Sequence, residues 1–215
     1  MLRELTFALR NNMNTIKYRI FVFLVASSFV LAAEDSKTTD NKPENANPSM
    51  QKWFPKAPSL PKANGPTIFA SDVNELIRAI NQAEAGQTIL IKDGHYMMPR
   101  YVEISADNVT LRSASGQQER VVIDGAGSSH RELLGISACS GVTIADLTIQ
   151  NIQCNGFKIN SETNVQNLTI YNCIIHNIWQ RGIKGVKVPA ENLEVVRPKN
   201  CRIQYCLFYN DRPKR

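Results

Sequence analysis

The sequence has no apolar run long enough to cross a bilayer, no cysteine close behind its one apolar stretch, no paired histidines, and few acidic residues in its last third. The first absence excludes a membrane span, because the apolar stretch is about 12 to 14 residues against the roughly 20 a span requires. The second removes a lipoprotein anchor. With three histidines in 215 residues and no metal-ligand spacing around Cys201 and Cys206, zinc has no ligand set. Five cysteines, Cys139, Cys154, Cys173, Cys201 and Cys206, are an odd number, all beyond residue 138. A disulfide framework is therefore not expected, and the thiols are read as small core hydrophobes.

What is present begins with an export signal. Arg10, Lys17 and Arg19 precede an apolar run from Ile20 to Val25, continued by Ala26, Phe29, Val30 and Leu31 and closed by Ala32 and Ala33. That order is a secretory signal peptide over residues 1–33, so the mature chain is expected to be secreted, periplasmic or at the cell surface, with no stable membrane anchor after cleavage. Residues 34–66 are rich in Lys, Asp, Asn, Pro and Ser. Such a stretch buries too little surface to offset its ordering entropy and reads as a disordered linker. Residues 67–215 remain for one domain.

The formal charge of +6 is unevenly spread. Residues 34–150 carry 11 Lys and Arg against 14 acids, whereas residues 151–215 carry 10 against 4. A surplus so placed is either a solvated face or an attraction for a polyanion such as an acidic polysaccharide. Nucleic acid is not an expected partner.

A repeat decides the fold. The segment from Asp146 to Asn151 returns from Asn172 to Asn177 at an offset of 26, and from Tyr205 to Asn210 a further 33 on. A second strand precedes each copy: Val142 to Ile144, Leu168 to Ile170, and Cys201 to Ile203. A third follows, Gly156-Phe157-Lys158 returning as Gly182-Ile183-Lys184. Three short strands per period, rich in Val, Ile and Thr and separated by Asn, Gly or Ser, fit stacked coils rather than an α-solenoid. The expected fold is all-β, a right-handed parallel β-helix, with a long loop between Val188 and Arg197. Earlier strands are expected at Thr88 to Ile91, Tyr101 to Ile104, Val109 to Leu111 and Val121 to Ile123. Ser71 is read as the cap of an amphipathic helix in which Val73, Leu76, Ile77 and Ile80 form one apolar stripe over the open end of the coil.

The run NELIRAINQAEAGQTILIKDGHY, Asn74 to Tyr96, resembles the opening of pectin-lyase-like β-helix proteins, especially polysaccharide lyases of the chondroitinase B and alginate lyase type. SACSGVTIADLTIQNI and NVQNLTIYNCIIHNIWQRGIKG look like generic β-helix repeats, so the likeness covers roughly residues 68–210. It implies a fold that hosts lyases, hydrolases, epimerases and adhesins, and calcium as a cofactor by resemblance alone. The Arg-x-Pro-x-x-Arg element of common pectate lyases is missing, since Arg197-Pro198-Lys199-Asn200-Cys201-Arg202 has its proline one place early. The grouped aspartates of polygalacturonases are missing too. No catalytic residue carries over from the family. The chain ends just after the third Asn-ended strand, and the expectation is an N-terminal fragment, or a domain that self-associates through an uncapped rung.

Site candidates come from the repeat. Lys158 alternates with inward Phe157 and Ile159, and Lys184 should lie beside it one rung away, with like charges that a bound carboxylate or sulfate would relieve. Removing the proton α to a uronate carboxylate needs a base and a cation; Lys158 or Lys184 is the candidate base, Arg181 the stabilising cation, and His176 an assistant. Asn151, Asn177 and Asn210 are read as a structural ladder, Gly156 and Gly182 as turn positions of unusual φ. The expected activity is β-elimination on uronate-containing polysaccharide; the alternative is a noncatalytic glycan-binding or structural β-helix.

Overall fold

The computed structural model describes residues 55–212. The signal peptide and most of the expected linker fall outside them. Three parallel sheets account for the fifteen strands among the described residues, and each complete coil of chain gives one strand to each sheet. Sheet A runs β1 (Thr67–Ala70), β2 (Thr88–Ile91), β5 (Thr110–Ser113), β8 (Thr143–Ala145), β11 (Thr169–Tyr171) and β14 (Arg202–Gln204). Sheet B runs β3 (Gly94–Met97), β6 (Val121–Asp124), β9 (Thr148–Ile152), β12 (Ile174–Ile178) and β15 (Leu207–Tyr209). Sheet C runs β4 (Val102–Ile104), β7 (Glu132–Ile136), β10 (Asn155–Ile159) and β13 (Arg181–Gly185). This is a parallel β-helix, and parallel crossovers of this kind are right-handed.

Register follows the repeat. Ile89, Leu111, Ile144, Ile170 and Ile203 form one inward column, and Ile123, Ile149, Ile175 and Phe208 another. Each is buried until the last described rung, where Ile203 and Phe208 are 53% and 49% exposed. Leu147 and Cys173 are buried and Cys206 half-buried, joined by the Ile174 N–H to Leu147 O bond and the Leu207 N–H to Cys173 O bond at 3.0 and 2.9 Å. All five cysteines are free; Cys139, Cys154 and Cys173 pack inside, whereas Cys201 is exposed.

The corners explain the asparagines. Asn151 and Asn177 adopt the left-handed conformation, and so do two further sets at other corners, Asp146, Asn172 and Tyr205, and Asn108, Asn167 and Asn200. Asn tolerates that conformation because its short amide bonds locally. The amides also bond between rungs: Asn172 Nδ2 donates to Asp146 Oδ1 at 2.8 Å and Asn200 Nδ2 to Asn167 Oδ1 at 3.2 Å. Gly156 and Gly182 do not sit at such corners but inside β10 and β13. They are glycine for space: a Cβ on Gly156 would lie 2.8 Å from Gly182 O, and one on Gly182 2.8 Å from Ile175 Cγ2.

Helix α1 (Val73–Asn81) buries Leu76, Ile77, Ala79 and Ile80 against β1, β2 and β4, covering the first rung. Its cap is Asp72 rather than Ser71: Asp72 Oδ1 accepts from the Asn74 and Glu75 N–H groups, both at 2.8 Å. Ser71 instead donates its hydroxyl and its backbone N–H to Glu75 Oε2. At Asp93-Gly94-His95-Tyr96 the chain turns into β3 with the Tyr96 side chain buried, its hydroxyl 2.7 Å from Lys92 O and 3.2 Å from Ala70 O. The loop before β14 carries a short helix, α2 (Leu193–Val196).

Residues 55–66 form no helix or strand. They cross the outer face of sheet A, where the Tyr171 hydroxyl donates to Pro58 O at 2.8 Å and Arg112 Nη1 to Pro61 O at 3.0 Å. Among the described residues no helix is long and apolar enough to cross a membrane.

Candidate functional site

The outer face of sheet C holds the predicted lysines. Lys158 is in register with Lys184 and with Gly135, which is in register with Glu103. The glycine gap is filled by the ring of Tyr101, whose hydroxyl a Cβ on Gly135 would overlap. That hydroxyl donates to Glu103 Oε2 at 2.7 Å, and Asn160 Nδ2 donates to the same oxygen at 2.8 Å. Burial, then the bond to Glu103, pushes the Tyr101 phenol upward, so it stays protonated as a donor.

Lys158 Nζ lies 5.9 Å from the Tyr101 ring centroid and 2.9 Å from Glu132 Oε2. Asn155 Nδ2 donates to the other oxygen of Glu132 at 2.8 Å. Burial alone would raise the Glu132 carboxyl; the bonds from Lys158 and Asn155 and the charges of Lys158 and Lys184 outweigh it and hold the group below its usual range. Glu132, a residue of the preceding rung, thus offsets part of the repulsion expected between the two lysines. Lys184 and Arg181, both on β13, have no carboxylate partner among the described residues.

His176 is not brought to this face. It lies on sheet B, stacked on Tyr209 with centroids 4.2 Å apart, Nε2 3.0 Å from Asp211 Oδ2 and Nδ1 3.3 Å from Gln150 Oε1. The network continues through Gln150 Nε2 to Asp124 Oδ2 at 2.7 Å and ends at His95, whose Nε2 is 2.8 Å from the same oxygen. Asp124, 3% exposed, also accepts from Asn151 Nδ2 and the Ala126 N–H, both at 2.8 Å. Burial favours its neutral form, but the bonds from Gln150, Ala126, His95 and Asn151 prevail and lower the carboxyl. A third polar cluster joins sheet A to the next corner: Arg112 Nη2 is 3.2 Å from Asp146 Oδ2, and burial raises that carboxyl despite Asn172 and Arg112.

Calcium finds no matching set. Glu103 and Glu132 are both engaged by side-chain donors, and the described residues contain no group of three or more His, Cys, Asp or Glu arranged to hold a metal. Sequence reasoning missed Glu132, Tyr101 and Asn155. Asn155 shares β10 with Lys158, Glu132 comes from the preceding rung and Tyr101 from the rung before that, so spacing from the lysines does not mark them.

No protein-family model matches the chain, and no curated protein matches it. Among solved structures it is similar to an alginate lyase from Paenibacillus sp. str. FPU-7, at 14% identity and a TM-score of 0.35, covering 64% of this chain. The chain spans 57% of the length of that lyase.

Proposed function

We propose that the protein is an exported, carbohydrate-active β-helix that binds uronate-containing polysaccharide along the outer face of sheet C and cleaves it by β-elimination. Charge balance on that face carries the reading: Lys158 is neutralised by Glu132, while Lys184 in the next rung and Arg181 on the same strand remain uncompensated among the described residues. Export rests on the N-terminal residues and the substrate class on the basic surplus and the resemblance of the Asn74 to Tyr96 run.

In this mechanism Arg181 and Lys184 hold the sugar carboxylate and stabilise the enolate-like charge that forms as the α proton leaves. Lys158 is the base: its ammonium first gives up a proton to solvent, the neutral amine takes the α proton from carbon, and the ammonium so formed returns a proton to the departing β oxygen, with Glu132, 2.9 Å away, fixing the side chain. A second reading, noncatalytic binding, is favoured by that same ion pair, which occupies Lys158. The test incubates the full exported chain with alginate, pectate and dermatan sulfate and follows the ultraviolet absorbance of unsaturated uronate. A rise that Lys184→Ala cuts at least tenfold supports the lyase. Binding without absorbance supports the second reading, and neither binding nor absorbance refutes both.

A further inference from the structure

We infer that the corner between sheets B and C is a separate binding site for an acidic sugar residue, its carboxylate or sulfate held by Arg131 and Arg212 and its ring laid on Trp179. The inference rests on the proposed polysaccharide ligand but names a place outside the lysine face. A cavity of about 440 Å³ opens there, within the range of small-molecule sites. Its lining includes Arg131, Arg212, His130, Asn151, Gln153 and Trp179, and contains no acidic residue.

The site is built by stacking. Arg131 precedes β7, Gln153 precedes β10 and Trp179 precedes β13, so three rungs deliver their pre-strand residues to one corner. Backbone bonds fix that stack: the Cys154 N–H donates to Arg131 O at 2.7 Å and the Trp179 N–H to Ile152 O at 3.2 Å. Both guanidinium groups are oriented by neutral amides. Arg131 Nε donates to Gln153 Oε1 at 2.9 Å, which leaves its two Nη groups for a ligand. Arg212 Nη2 donates to Asn151 Oδ1, and Asn151 is held in that orientation because its Nδ2 donates to the buried Asp124. Asp211, 3.7 Å from Arg212 Nε, is shared with His176 and Asn177, and Arg131 has no ion-pair partner among the described residues.

Two positioned forks with unspent donors suit a planar carboxylate or a sulfate, since bidentate geometry adds specificity to charge. Prior fixation by Gln153 and Asn151 reduces the ordering cost of binding. The half-buried indole of Trp179 supplies a rigid face with a polar edge, the kind of surface a sugar ring covers. The corner is continuous in sequence with the start of sheet C, Arg131 adjoining Glu132 and Trp179 lying two residues before Arg181, so one extended polyanion can occupy both places.

The test measures, by titration calorimetry on the full chain, binding of hexagalacturonate and hexamannuronate, with cellohexaose as the neutral control. Arg131→Gln and Trp179→Ala are compared with Lys184→Ala, folding being checked by circular dichroism; Arg131 is exposed and its substitution leaves the core intact. Expected is a loss of affinity of at least tenfold for Arg131→Gln, with no binding of cellohexaose. If Arg131→Gln binds as the unaltered chain does while Lys184→Ala fails, the corner site is wrong and the sheet C face stands. If Lys184→Ala binds normally while Arg131→Gln fails, the corner stands and the sheet C face is wrong. Tight binding of cellohexaose, or no binding of either acidic hexamer to the unaltered chain, overturns the inference.

Discussion

Asn177 offers the sharpest stability prediction. It is 0% exposed, its φ is 51°, its Nδ2 donates to Asp211 Oδ1 at 2.9 Å and its Oδ1 accepts from the Asp211 N–H at 3.2 Å. Replacing it by Gly keeps the left-handed corner at no steric cost and removes the two bonds, both to the exposed Asp211, for a loss of about 1 kcal/mol. Replacing it by Ala removes the same bonds and keeps a Cβ against the following carbonyl without the amide that makes this conformation tolerable for Asn, which costs roughly 1–2 kcal/mol more than Gly. With a urea m-value of about 2 kcal/mol/M, the midpoint falls by about 0.5 M for Asn177→Gly and by about 1–1.5 M for Asn177→Ala. The assay is urea denaturation followed by circular dichroism, with the slope required to stay constant. An Ala variant at least as stable as the Gly variant would refute the claim that backbone conformation, not side-chain bonding alone, places asparagine at these corners.

Other outcomes follow from particular contacts. Gly135→Ala displaces the Tyr101 ring from sheet C and breaks its bond to Glu103, lowering stability by about 1–3 kcal/mol, and the double variant Gly135→Ala with Tyr101→Ala recovers part of that loss in thermal melts. Asp124 has its folded carboxyl lowered, so its ionisation stabilises the fold above about pH 4 and that contribution disappears as pH falls through the folded value. Asp124→Asn therefore melts lower at neutral pH but shows a flatter acid limb in a plot of Tm against pH; a limb as steep as before contradicts the assignment. Cys201 is exposed and should take up a thiol reagent in the native state, while Cys139, buried and pushed up to about 11 by that burial, reacts only after unfolding. Mass spectrometry of the labelled peptides reads the order.

The offset of 26 between Lys158 and Lys184 was legible because equivalent rungs repeat the same inward pattern, and the structure pairs those two residues directly. Strand β7 was not legible: Leu133 and Leu134 are both buried and Gly135 lies under Tyr101, so its five residues show no alternation. Strand β3 was hidden because it begins at Gly94, directly after Asp93, a pair that reads as a turn, and β1 follows Pro66 at the end of a stretch poor in apolar residues. For the site, repeats reveal which residues share a column but not what crosses between columns. Glu132 reaches Lys158 diagonally from another rung, and Tyr101 reaches it over a glycine, contacts that no spacing encodes. His176 was expected to assist the lysines, yet it lies on β12 of sheet B while they lie on β10 and β13 of sheet C.

The functional account turns on Lys184 being a free ammonium beside an occupied one. Nuclear magnetic resonance of the lysine side chains, recorded while hexagalacturonate is added to the full chain, addresses it directly. Saturable movement of the Lys184 signal, with Lys92 on the far loop unchanged, is the predicted result. A Lys184 signal that stays fixed while the hexamer binds would contradict the account.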